Sequence, residues 1–152
     1  MKYRNVDAGY QLPFKFHVQV SMSHRVEYAI VVEPTFTDKY YCDLSLMIPT
    51  PPLISNSFTT SNGKWKYNAS LNVVQWSITN IKQQQKITLK GHCDILPNSK
   101  WLSRPPIIVQ FEIKQFNLTG SFVKHLKVEE ESYSSIKWVR YVTNAGEYLI
   151  RF

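Results

Sequence analysis

The sequence predicts an all-β fold, an antiparallel β-sandwich. Short stretches alternate apolar and polar residues, with turn residues recurring at intervals of roughly 8–12 residues. No window of helical length carries an amphipathic period. Aromatic residues make up 14% of the 152-residue chain, nine Tyr, eight Phe and four Trp, and flat rings suit a pleated surface.

Taken in order, Phe14–Val20 alternates, and Val26–Val32 is a more continuously apolar run. Cys42–Ile48 alternates again and then meets Pro49, Pro51 and Pro52, which cannot continue a ladder. Ser61-Asn62-Gly63 reads as a hairpin-type turn leading into Lys64–Tyr67. Val73–Thr79 and Lys86–Ile95 follow, then a loop over Pro97–Pro106 and a strand over Pro106–Lys114. Three further strands are expected at Phe122–Val128, Ile136–Val142 and Glu147–Arg151. Gln83–Gln85 and Glu129–Glu131 read as turn residues, and there are no internal repeats.

Hydrophobic residues at 43% and charged residues at 19% place the chain among globular proteins rather than disordered ones. A chain of this length is one domain's worth and buries a substantial core. No apolar run approaches the roughly 18 residues of a membrane-spanning helix, and the basic, polar N-terminus is not a signal peptide. Two cysteines, Cys42 and Cys93, are too few for a disulfide framework, so two free thiols in a reducing compartment are expected. In that setting the sequons at Asn68 and Asn117 are coincidences of composition.

The net charge of +7 is unevenly spread. Between Thr60 and Arg104, seven cations (Lys64, Lys66, Lys82, Lys86, Lys90, Lys100 and Arg104) face a single acid, Asp94. Such a field attracts anions, although a lysine-solvated surface has the same composition. No basic tract, zinc-finger spacing or RNP-like motif points to nucleic acid, which leaves a membrane surface or an acidic protein partner. Nothing points to catalysis: there is no nucleophile elbow, phosphate-cradling glycine loop or His-Glu-x-x-His pair. His92-Cys93-Asp94 looks like a triad as written, but neighbours on a strand point to opposite faces. No cofactor or metal site is expected.

The last fifty residues carry a resemblance. Ser103–Ile113, Val123–Val128, Ile136-Lys-Trp-Val-Arg-Tyr-Val-Thr143 and Gly146–Tyr148 resemble the C-terminal end of the medium (mu) chain of clathrin adaptor complexes, the plasma-membrane type most nearly. The upstream order agrees at Tyr3-Arg4, Leu12-Pro13-Phe14, Ile48–Pro51, Lys66-Tyr67, Trp76 and Ile95–Pro97. The resemblance implies part of an all-β mu homology domain, with its match beginning part-way into that domain. Residues near 15–116 would be an inserted sandwich subdomain. Residues 1–14 and 117–152 would belong to the signal-binding subdomain, whose acidic acceptor for the signal tyrosine would lie on strands before Met1.

It also implies a non-enzymatic subunit of vesicle-mediated transport and endocytosis, cytoplasmic and peripheral on membranes at clathrin-coated pits or vesicles. Its expected partners are other adaptor subunits and Tyr-x-x-Φ sorting signals in cargo tails, with Φ a bulky apolar residue. Such signals bind by strand addition, an extended peptide pairing with a strand while pockets read alternate side chains. On the expected strand Ile136–Val142, Trp138 and Arg140 share a face and match the pair that packs the signal tyrosine. Arg140 can lay its guanidinium on the phenol ring. Val139, Val123 and Leu126 match the Φ pocket, with the stem of Lys137 beside it. As residue types alone, Val123, Leu126, Val139 and Trp138 read equally as core.

The family's second implied property is phosphoinositide contact, an alternative function in which acidic phospholipid headgroups meet Lys64 and Lys66. Two further positions of that lysine cluster are Asn62 and Ser77 here. Lys82, Lys86 and Lys90 are candidates to compensate.

Overall fold

The computed structural model describes residues 12–36, 41–81, 85–97, 101, 104–127, 136–145 and 148–152. Ten strands and no helix occur among them: β1 (Phe14–Met22), β2 (Arg25–Pro34), β3 (Tyr41–Pro49), β4 (Leu53–Thr60), β5 (Lys64–Asn68), β6 (Val73–Ile78), β7 (Ile87–Ile95), β8 (Ile107–Lys114), β9 (Val142–Asn144) and β10 (Tyr148–Ile150). They form two antiparallel sheets packed as a sandwich. One runs β1-β2-β7-β4; the other runs β10-β8-β3-β6-β5, with β9 also on β8.

Alternation explains why these segments are strands and where the core sits. Val26, Tyr28, Ile30 and Val32 of β2 point inward, as do Leu44, Leu46 and Ile48 of β3 and Val74, Trp76 and Ile78 of β6. The run Val26–Val32 is thus buried at every second residue, with Ala29 and Val31 on the other face. Trp76 is fully buried, and its indole Nε1–H donates to the Asn62 carbonyl at 3.0 Å. The Tyr28 hydroxyl donates to the Pro49 carbonyl at 3.0 Å, so a polar tip inside the core is satisfied.

Four differences from the sequence reading have physical causes. First, β4 is a strand in a stretch, between the Pro49–Pro52 prolines and the Ser61-Asn62-Gly63 turn, where the sequence reading names none. It sits at a sheet edge and Phe58 is its one buried residue, so it carries little hydrophobic signal. Second, the Ser61-Asn62-Gly63 turn is no hairpin. It carries the chain from β4 in one sheet to β5 in the other, because β4 pairs with β7 and β5 with β6. Gly63 makes that corner with φ +85°, and a Cβ there would lie 2.4 Å from the Ser77 carbonyl oxygen.

Third, residues 122–127 form no strand; residue 128 lies outside the described residues. Fourth, residues 136–141 form none either, and β9 begins only at Val142. A strand needs a ladder, and neither stretch has a strand partner among the described residues. The C-terminal strand is shorter than expected, Tyr148–Ile150, and Glu147 lies outside the described residues.

Candidate functional site

β8 ends at Lys114, and Gln115 turns the chain away in the left-handed region with φ 60°. The Gln115 N–H donates to the Tyr141 carbonyl at 2.9 Å. The Val123 N–H donates to the Tyr141 hydroxyl oxygen at 2.8 Å, and the Thr143 hydroxyl to the Phe116 carbonyl at 2.7 Å. Tyr141 therefore ties the 121–123 stretch to the end of β8 and holds the residues just before β9 beside both.

Two open clefts flank this junction, and Arg140 and Tyr141 line both. One, of about 480 Å³, lies over Phe116, Ser121, Phe122, Val123 and Val142. The other, of about 400 Å³, lies over Lys114, Gln115, Trp138 and Val139. Of the six residues the sequence nominated for signal binding, four (Val123, Trp138, Val139 and Arg140) come together here. Leu126 and Lys137 line neither cleft.

Trp138 is 71% exposed, and Val123, Leu126 and Val139 are exposed as well. Among the described residues these four side chains are exposed, not part of the sandwich core. The shared strand face for Trp138 and Arg140 does not hold either, because the stretch is not a strand; the two are joined by a common cleft instead. Tyr141 is not among the residues that the sequence nominates for signal binding. The Trp-Val-Arg-Tyr run was its available signal.

Lys64 and Lys66 lie on β5, exposed on the outer face of their sheet, while Trp65 and Tyr67 turn inward. Ser77 of β6 stands directly opposite Lys64, and Gln75 opposite Lys66. The Asn62 carbonyl accepts from Trp76 and from the Thr60 hydroxyl at 2.6 Å, which fixes the approach to β5.

Among the described residues, Lys86 and Lys90 do not extend this face. Lys90 is on β7, exposed on the outside of the opposite sheet. Lys86 pairs with Glu33 at 2.8 Å and, through that hydrogen bond above all, holds the Glu33 carboxyl below its ordinary range. Lys82 and Lys100 lie outside the described residues.

Nothing here assembles as catalytic or metal-binding machinery. Cys93 is buried while His92 faces the other way, half-exposed. Burial, and then the neighbouring Asp94, pushes the Cys93 thiol up to about 12. Such a thiol supplies almost no thiolate near neutrality. Among the described residues no three His, Cys, Asp or Glu side chains form a metal-holding group, and no helix is long and apolar enough to cross a membrane.

Comparison with known proteins adds a family. The model of the adaptor complexes medium subunit family matches residues 1–152. AP-2 complex subunit mu of Dictyostelium discoideum is 32% identical over 157 aligned residues, covering 97% of this chain and 36% of that protein. AP-1 complex subunit mu-2 of Homo sapiens is 33% identical over 132, covering 84% of this chain and 31% of its own length. AP-2 complex subunit mu of Caenorhabditis elegans is 33% identical over 165, covering 99% and 37%. The chain thus spans about a third of the length of these relatives.

Proposed function

The chain belongs to the adaptor complexes medium subunit family, one of non-enzymatic coat components, and from that premise we propose that it selects cargo by reading Tyr-x-x-Φ signals around Arg140. The observation that carries this reading is the convergence of two clefts on Arg140, with Trp138 and Val139 exposed in one and Val123 in the other. A tyrosine ring packed between the Trp138 indole and the Arg140 guanidinium gains apolar contact and a cation–π interaction. The Φ side chain uses Val139 and Val123, with Leu126 and the Lys137 stem at the margin.

In this reading the signal peptide supplies the extended partner that residues 136–141 lack among the described residues, and strand addition follows from that need. The sandwich of residues near 15–116 acts as the inserted subdomain, and residues 1–14 and 117–152 belong to the signal-binding part. The setting is vesicle-mediated transport on the cytoplasmic side of a membrane, in coated pits or vesicles, beside other adaptor subunits.

The test is a fluorescence-anisotropy titration of this chain with a labelled Tyr-x-x-Φ peptide and its Tyr→Ala counterpart. Tyrosine-dependent binding is expected, with Arg140→Glu and Trp138→Ala each weakening it by about tenfold or more, roughly 1.4 kcal/mol. Unchanged affinity in Arg140→Glu, or no binding by well-folded chain, overturns the assignment.

A second reading rests on a different observation: Lys64 and Lys66 share one outer face with no acid on β5 beside them. This face would meet acidic phospholipid headgroups. A Lys64→Glu/Lys66→Glu variant that still sediments with anionic vesicles refutes it.

A further inference from the structure

Strand β1 is the end strand of its sheet, paired with β2 along all nine residues and with no strand on its other side among the described residues. An edge strand leaves every second pair of N–H and C=O groups pointing outward, a template for another extended chain. Beside this edge, between β1 and β10 of the opposite sheet, lies an open cleft of about 620 Å³. Its floor is aromatic: the Phe16 and Tyr148 rings meet at 5.6 Å between centroids, next to buried Phe14. A second cleft, of about 740 Å³, starts at Val18–Ser21 of β1 and crosses β2 at Glu27–Ala29 to β7 at Lys90–His92.

The charge along the first cleft has one sign. Lys15, His17 and Arg151 line it, and no carboxylate does. Glu33, opposite Lys15 in the ladder, bonds to Lys86 at 2.8 Å, lies 3.9 Å from His17 and also feels the charge of Lys15. Among the described residues neither Lys15 nor Arg151 forms an ion pair.

We infer that β1 is a second peptide-docking edge, distinct from the Arg140 clefts, and that its occupant is an extended acidic segment of a partner polypeptide. Side chains directly opposite one another in a ladder share a face. Residues added opposite Phe14 and Phe16 enter the apolar groove, and residues added opposite Lys15 and His17 meet the cations. The matching sequence alternates acidic and apolar residues. A second copy of this chain fits poorly over this cleft, because antiparallel β1–β1 pairing centred on Phe16 sets Lys15 against the other copy's His17.

The probe is fluorescein-labelled Glu-Val-Glu-Phe-Glu-Val-Glu, titrated into the 152-residue chain by anisotropy. Two controls carry the same net charge: a peptide with the four Glu grouped at one end, and the alternating peptide with every second amide N-methylated to block pairing. Binding of the alternating peptide is expected, weakened about tenfold or more in both controls and in Lys15→Glu/Arg151→Glu. Arg140→Glu should leave it unchanged. Equal affinity for either control reduces the groove to a charged surface and overturns the inference. So does absence of binding, loss of binding in Arg140→Glu, or sedimentation of the free chain as a dimer that Lys15→Glu dissociates.

Discussion

Replacing Ser77 by lysine tests whether the Lys64–Lys66 face meets acidic lipid, and the β5–β6 ladder sets the expected size of the effect. Ser77 lies directly opposite Lys64 on the outer face, so Ser77→Lys gathers three ammonium groups within two strands. Each cation near an anionic membrane contributes about 1 kcal/mol, which is about fivefold in affinity. The new lysine also faces a like charge across the ladder, at a cost to folding of about 0.2–1 kcal/mol, so the thermal midpoint should fall by no more than about 4 °C. The assay is sedimentation with phosphatidylcholine vesicles, with and without phosphoinositide, at physiological salt.

The decisive control is Thr59→Lys. Thr59 stands opposite Lys90 on the outside of the other sheet, so this variant adds the same charge and the same kind of like-charge pair on a different face of the sandwich. Ser77→Lys should tighten vesicle binding about fivefold and Thr59→Lys much less. Equal gains from the two would mean that net charge, +7 before either change, draws the chain to the membrane. The β5 face would then have no special role.

Two further outcomes follow from the core. A Cβ on Gly91 would lie 2.3 Å from Cδ1 of Phe58 and 2.4 Å from the Ser57 carbonyl oxygen, and Phe58 is wedged between Tyr28 and Trp65. Gly91→Ala should therefore lower urea-unfolding stability by about 1–3 kcal/mol, and a loss below about 0.5 kcal/mol would refute the close approach. Burial pushes the Cys42 and Cys93 thiols from 9.0 up to about 12, so they keep their protons when folded at a pH where the unfolded chain releases them. Their contribution to stability is whole below about pH 9 and declines as the pH climbs toward about 12, measurable as a falling urea midpoint, with slow native thiol labelling at pH 8 that becomes fast in guanidinium.

How much of the fold was legible depended on where each strand's partners sit. β2, β3 and β6 each have neighbours on both sides and a core beneath, and their inward residues spell out the period: Val26, Tyr28, Ile30, Val32 in one, Leu44, Leu46, Ile48 in the next. β4 has the same geometry at an edge, yet Phe58 is its one buried residue, and the room for that ring comes from Gly91 on β7. Its signal lies in a residue more than thirty positions away. The Asn62-Gly63 corner shows the same limit. Those residues announce a turn, but whether a turn joins paired strands or carries the chain between sheets is settled by which strands β4 and β5 find, β7 and β6 here.

The candidate site carries this logic furthest. Ile136, Trp138 and Arg140 alternate as a strand should, yet Ile136 is 92% exposed and Trp138 is 71% exposed. Alternation states which side chains would share a face, while a ladder is a property of two segments. Burying one large apolar side chain is worth about 1.5–3 kcal/mol, so a stretch that leaves both in solvent retains a drive to pair, and an extended peptide is the partner that satisfies backbone and side chains together. The β1 groove follows by the same reasoning from the opposite direction. There the ladder is complete on one side, and the open side places Lys15 and His17 beside Arg151 from the far end of the chain. Each cation was visible in the sequence; that they share one groove is set by the packing of β1 against β10, which no local pattern encodes.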